Sequence, residues 1–341
     1  MKPEINIFKG VAMVAVIILH VIPILYVFWS PYPPFSPQAH FLIALDQINR
    51  FCVPMFILLS GYLLSLNYES SIAGVINFYK RRLLKLLPLY LFWWLVIKLT
   101  VPDVGYHLYF VPLIFQLYLL FPILFFLVKK FPVIFVLLVL IFQLYFLQFL
   151  SELNWSDQKQ YQYFTSWVFY FVTGIVICLH EDQIRKFRLI PVILTVVGYF
   201  LSLRSAYTLL DHGANINNIT FFTRLPIFFY ATGFCLAAIL WRDKLSMLPK
   251  RLSSFLDYFG RESYLVYLCH TILLRIIFEP FINKSWNPVF VSSVFVIWIV
   301  GIFFSVKIPV ILDATRSLVH TCMTIVKAVC INLFSWIFKE L

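Results

Sequence analysis

Asn6 to His20 reads NIFKGVAMVAVIILH, and this run decides what kind of molecule the chain is. Together with the apolar residues that continue to position 28, it is long enough to cross a hydrocarbon core of about 30 Å as a helix. Two polar stations interrupt it, Lys9 and His20, eleven positions apart. At about 100° per residue that separation is roughly 20° beyond three turns, so both side chains share one helix face. At about 1.5 Å per residue they lie roughly 16 Å apart along the axis, one at a membrane edge and one deep inside.

The rest of the composition agrees with a membrane setting. Of 341 residues, 62% are hydrophobic and only 12% are charged, and the mean hydropathy is +0.90. A soluble domain of this length needs far more charge to cover its surface, so the expectation is an all-α polytopic membrane protein. The net charge of +12 belongs to the basic loops of such a protein rather than to a nucleic-acid partner. The six cysteines form no CxxC pair and read as small core hydrophobes, with neither a disulfide framework nor a metal site expected. No small-residue cleavage pattern follows the first apolar run, so no cleavable signal peptide is expected.

Ten runs are long enough to span, near 7–28, 41–66, 83–101, 108–128, 131–150, 163–180, 189–205, 221–241, 262–280 and 288–312. Basic residues gather at the N-terminus and in alternate links, for example Lys80, Arg81, Arg82 and Lys85, then Lys129 and Lys130, then Arg185, Lys186 and Arg188. The positive-inside rule therefore places both termini in the cytoplasm. Residues 1–315 read as one transmembrane domain. Residues 316–341 carry a polar stripe (His320, Thr324, Lys327) at helical spacing and read as an amphipathic helix at the cytoplasmic interface. The aromatic residues, 19% of the chain, read mostly as interface belt and lipid-facing packing.

Ionisable side chains inside spans are costly and mark candidate sites. They are few here. His20 is mid-span. Asp46 and Arg50 stand four apart in the second run, where an ion pair can close on one helix face. Arg224 opens the eighth, His270 and Arg275 lie in the ninth, and His107 stands at the start of the fourth beside Asp103. His270 reads as helix packing rather than a metal ligand, because no ligand spacing recurs. The run of Arg81, Arg82 and Lys85 ahead of Pro88 reads either as plain topology or as a cationic seat for a phosphorylated donor.

These residues also fall into an ordered set of motifs. Lys9-Gly10-x-Ala12 with His20, then Phe51-Cys-Val-Pro-Met-Phe-Ile-Leu-Leu-Ser60-Gly61-Tyr62, then Arg82-Leu-Leu-Lys85-Leu-Leu-Pro88-Leu-Tyr90, then His107-Leu-Tyr109-Phe110, then Tyr267-Leu-Cys-His270 follow one another across residues 6–274. In kind and order they resemble the motifs of the membrane-bound acyltransferase 3 family. Lys9 and Lys85 stand where that family more often has Arg, and Tyr109 where Trp is usual; Lys keeps the charge without the bidentate fork. The resemblance implies an integral-membrane O-acyltransferase without an appended extracytoplasmic hydrolase-like domain. It would take an acyl group, commonly acetyl, from cytoplasmic acyl-CoA and pass it to a hydroxyl of a cell-surface glycan or other extracytoplasmic acceptor. Acyl-CoA is then a cosubstrate, no cofactor is bound, and the setting is a cell membrane, that of a bacterium in the first instance.

The chemistry of the residues runs the same way. Moving an acyl group from a thioester to a hydroxyl needs a base for the hydroxyl and stabilisation of an oxyanion, and His suits the base best. His20 is accordingly expected to be the base or a transient acyl carrier. Lys9, Arg81, Arg82, Lys85 and Ser60 are expected on the donor side, and Asp46, Arg50, His107 and Arg275 on the acceptor side. An exporter of a surface polysaccharide or lipid-linked sugar could line its pathway with the same charges, although no internal repeat is visible. An inactive relative retained as a scaffold is a third reading.

Overall fold

The computed structural model describes residues 3–28, 36–152, 158–213, 216–282 and the single residue 317. The tenth run, 288–312, and the proposed amphipathic helix at 316–341 lie outside them, Ser317 apart. Among the described residues helix is the only regular structure, in the order α1 (Pro3–Phe28), α2 (Pro37–Asn49), α3 (Cys52–Ser65), α4 (Ile72–Thr100), α5 (Phe110–Lys130) and α6 (Pro132–Glu152). There follow α7 (Val168–Arg185), α8 (Leu189–Asp211), the single turn α9 (Ile216–Ile219), α10 (Leu225–Leu240), α11 (Lys250–Arg261) and α12 (Ser263–Ile282). Among the described residues six stretches are long and apolar enough to cross a membrane, and α10 is a shorter apolar helix. Along α6 and α8 large apolar side chains such as Leu137, Ile141, Ile193 and Phe200 are exposed, which is tolerable only where the surroundings are lipid. The chain is an all-α polytopic membrane protein.

Two units pack separately. One comprises Met1–Tyr79 with Tyr106–His270, and the other Lys80–Gly105 with Thr271 onward. In the first unit three helix pairs are held by glycines. A Cβ on Gly10 of α1 would stand 2.2 Å from the Leu256 carbonyl oxygen of α11, and one on Gly260 would stand 1.8 Å from that of Asn6. Gly61 of α3 and Gly174 of α7 meet the Phe171 and Leu58 carbonyls at 2.1 and 2.0 Å in the same sense. A Cβ on Gly198 of α8 or on Gly233 of α10 would stand 2.5 Å from the backbone nitrogen of Tyr230 or of Thr195. Helix association in lipid relies on such close backbone approach, because apolar burial alone gives no preference for protein over acyl chains.

Three features depart from the sequence reading. The run 41–66 is two helices, not one. Pro54 has no N–H to give the Arg50 carbonyl, and its ring would clash with that carbonyl in a continuous helix, so the chain breaks at Arg50–Phe51 and restarts. The start of α2 is fixed locally, with Pro37 in its first turn and the Ser36 hydroxyl accepting from the Ala39 amide at 3.2 Å. The second departure is α11, which lies in what reads as a basic link. Its Leu252, Phe255, Leu256 and Phe259 recur at i, i+3, i+4, i+7, and the inner pair of that stripe, Leu256 and Phe259, is buried. The helix is too short and too charged to register as a span, yet it seats α1: the Asn6 amide donates to Asp257 at 2.9 Å beside the glycine crossing.

The third is the role of the aromatics. Trp167, Tyr230, Phe121, Phe171, Phe228 and Phe259 are among the largest fully buried side chains, so a substantial part of the aromatic content builds the core. Among the described residues Cys52, Cys178, Cys235 and Cys269 are free thiols, three of them buried.

If the α1–α11 crossing seats the first helix, Gly260→Ala must push the two backbones apart. Overpacking of this kind costs about 1–3 kcal/mol, and the variant in detergent is expected to unfold at a lower temperature than the parent, measured by tryptophan fluorescence.

Candidate functional site

His20 sits on the last buried turns of α1 and is half-buried. Its Nδ1 lies 2.8 Å from the Val16 carbonyl oxygen, one turn back on the same helix. A carbonyl only accepts, so Nδ1 carries the proton, and the neutral ring keeps its lone pair on Nε2. On one side the ring stacks on Tyr106, with centroids 5.7 Å apart. On the other it meets two more imidazoles edge-on, His270 at 4.7 Å and His107 at 6.3 Å, and those two are 5.0 Å from each other.

Each neighbour is held by its own local structure. His107 lies on the 3₁₀ segment Pro102–Tyr109 that leads into α5, and is 3% exposed. The Tyr267 hydroxyl donates to the His107 carbonyl, tying that segment to α12. His270 is fully buried on α12, with Nδ1 2.7 Å from the Tyr267 carbonyl oxygen. Its proton too is therefore on Nδ1, and its buried Nε2 has no hydrogen-bond partner among the described residues. Among these residues no group of His, Cys, Asp and Glu is arranged to hold a metal ion. The cluster offers basic nitrogens in an apolar setting, with one half-buried imidazole flanked by two buried ones.

A second polar cluster is built around Asp46 and Arg50, which form the i,i+4 pair that their spacing allows. The pair is bidentate, with Arg50 Nε 2.9 Å from Asp46 Oδ2 and Nη2 on Oδ1. Both residues are buried, and the guanidinium lies 4.7 Å from the centre of the Phe222 ring. Gln47 extends the network, giving its amide to Asp46 at 2.9 Å and accepting from Ser202 at 2.8 Å and from Arg224 at 3.0 Å. Arg224 also donates to the Ile219 and Ser202 carbonyls at 2.6 and 3.0 Å. This network joins α2, α8 and the start of α10.

The other sequence candidates fall as follows. Lys9 is half-buried on α1 next to the Gly10 crossing, and Ser60 is half-buried on α3 next to the Gly61 crossing. Arg81, Arg82 and Lys85 are not in a loop ahead of a span; they lie within α4, in the second unit, with Arg81 and Lys85 exposed and Arg82 half-buried. Their i,i+3 and i,i+4 spacings put them on adjoining helix faces. Pro88 follows within the same helix and leaves the Leu84 carbonyl without its i+4 donor. Arg275 is half-buried on α12, also in the second unit. Of all these, the structure brings together His20 with His107, and Asp46 with Arg50. His270, read from sequence as helix packing, stands nearest to His20 in the imidazole cluster; its place at the end of the Tyr267–His270 motif was the available signal. The parts played by Gln47 and Ser202 left no trace in the sequence, since neither is ionisable.

A helical membrane protein with an imidazole cluster among its spans is one class of molecule; the comparison with known proteins narrows it. A family model described as an acyltransferase domain matches residues 2–314, and the chain belongs to the acyltransferase 3 family. It is a multi-pass membrane acyltransferase. No curated protein and no solved structure matches the chain significantly.

Removing one member of the buried ion pair leaves the other as an uncompensated charge. Asp46→Ala is expected to destabilise the folded protein by about 3–5 kcal/mol. The double variant Asp46→Ala with Arg50→Leu is expected to recover most of that loss in the same detergent melting experiment, because the stranded cation is gone.

Proposed function

We propose that the protein is an O-acyltransferase that moves an acyl group, acetyl in the first instance, from cytoplasmic acyl-CoA to a hydroxyl of a cell-surface glycan or another extracytoplasmic acceptor. The observation that carries this reading is the Nδ1–H bond from His20 to the Val16 carbonyl. It leaves Nε2 as a free base on a half-buried imidazole in a family of acyltransferases.

In the direct route, His20 Nε2 takes the proton of the acceptor hydroxyl as its oxygen attacks the thioester carbonyl. The tetrahedral oxyanion collapses, the C–S bond breaks, and the thiolate of CoA leaves with the proton returned by His20. In the two-step route, Nε2 itself attacks the thioester carbonyl and the C–S bond breaks with departure of the CoA thiolate; the acceptor hydroxyl then attacks the acyl-imidazole, the N–C bond breaks, and the hydroxyl proton passes by way of the freed Nε2 to the thiolate. His107 and His270 flank the base and keep water and competing carboxylates from it. Lys9, Arg81, Arg82 and Lys85 are assigned to the phosphates of CoA, with Ser60 on the donor side, and Asp46, Arg50, His107 and Arg275 to the acceptor side. The termini are assigned to the cytoplasm by the distribution of basic residues, and the membrane to a bacterial cell. No bound cofactor, metal or nucleic acid enters this scheme.

Two measurements test it. Purified His20→Ala that retains its melting temperature is expected to transfer acyl groups about 10²–10⁴-fold more slowly than the parent. Transfer at the parental rate would remove His20 from the reaction. Lys85→Gln, which keeps the stem and removes the charge, is expected to raise KM for acyl-CoA about tenfold at nearly constant kcat. The parent protein should also be thermally stabilised by acyl-CoA, which binds only the folded state, and Lys85→Gln less so at the same concentration. Mass spectrometry of surface glycans with and without the protein then identifies the acceptor by one acyl increment.

A further inference from the structure

Helices α8 and α10 are locked together at Gly198 and Gly233. Beyond that crossing, toward the start of α10, they leave a groove of about 470 Å³ between them. Its walls include Leu201, Leu209, Leu225 and Phe229, and its polar edge is Arg204 and Ser205 of α8. Arg204 is unusual for its position. It stands seven residues before the end of a 23-residue apolar helix, roughly 10 Å from that end along the axis. Its side chain is exposed, and its guanidinium makes no ion pair or hydrogen bond among the described residues. Phe200 and Leu201, one turn back on the same helix, are exposed beside it. At the end of the apolar run 189–205 such a cation lies where an anionic headgroup can meet it.

We propose that this groove is a binding site for one anionic phospholipid of the surrounding bilayer, with the phosphate on Arg204 and an acyl chain along Leu201, Leu225 and Phe229. The charge decides the occupant. A guanidinium presents a planar fork of donors that matches two phosphate oxygens, and the Ser205 hydroxyl beside it adds a donor. The apolar walls suit a hydrocarbon chain, and the volume lies in the range of small-ligand sites, about 300–1,000 Å³. A zwitterionic lipid would bring its own cation and leave Arg204 only partly compensated. The site is separate from the imidazole cluster and does not depend on the assignment of His20.

Native mass spectrometry of the purified full-length protein in neutral detergent, with added phosphatidylglycerol or phosphatidylcholine, tests the proposal. The parent is expected to retain one phosphatidylglycerol in preference to phosphatidylcholine. Arg204→Gln is expected to lose about fivefold of that retention, and Arg204→Lys to recover part of it. Lys130→Gln, a cation removed outside the groove, is expected to bind as the parent does. Equal retention of the two lipids, or parental retention by Arg204→Gln, would overturn the site. Retention of a polyprenyl phosphate with no retention of phosphatidylglycerol would overturn the occupant.

Discussion

The close backbone contact at Gly10 and Gly260 is the constraint on which the arrangement of the first unit turns. In lipid, apolar side chains gain little by choosing protein over acyl chains, so a helix is located by whatever contact only one partner can make. Two glycines opposite one another let carbonyls and Cα atoms touch where any Cβ would collide. The Asn6–Asp257 hydrogen bond then sets the register of that contact. Helix α1 runs on unbroken beyond it, so the crossing near one end sets the azimuth and depth of His20 about three turns further along. The two other glycine pairs repeat the device, and between them the three crossings account for the closest helix pairs of the unit.

The imidazole cluster uses the same economy of local structure. Both His20 and His270 give their Nδ1 protons to carbonyls of their own helices. Each ring therefore has its tautomer and orientation set by the backbone and needs no carboxylate partner. A carboxylate would add a second charge to a low-dielectric site and strengthen the base at a desolvation cost. The Asp46–Arg50 network does contain buried charge, and there every formal charge is matched by bidentate geometry, by carbonyls or by an aromatic face. The two clusters differ in kind: one joins helices α2, α8 and α10 through polar contacts, and the other orients its rings on backbone carbonyls and leaves the buried His270 Nε2 without a hydrogen-bond partner among the described residues.

The membrane class, the helical fold and the family were legible in the sequence, because each rests on local patterns: long apolar runs, alternate basic links, and short motifs in a set order. So was the Asp46–Arg50 pair, since i,i+4 spacing on one helix is a local property. The break at Arg50–Phe51 was hidden: Pro54 invites it, but Pro88 sits inside the continuous helix α4, and the hydropathy of residues 41–66 is unbroken. Helix α11 was hidden for the opposite reason. Its apolar stripe is short and its charge high, so its hydropathy does not mark it out.

What the sequence by itself determined is therefore what a single helix can express: that the chain is helical and enters lipid, which face of α1 carries Lys9 and His20, and which neighbouring residues can pair. Only the tertiary structure decided that His20, His107 and His270 share one site. Those residues are 87 and 163 positions apart in the chain, and nothing in the periodicity of one helix encodes which face of another it meets. That choice is made by shape, where glycine pairs allow backbones to touch, and shape of this kind exists only once the helices are side by side.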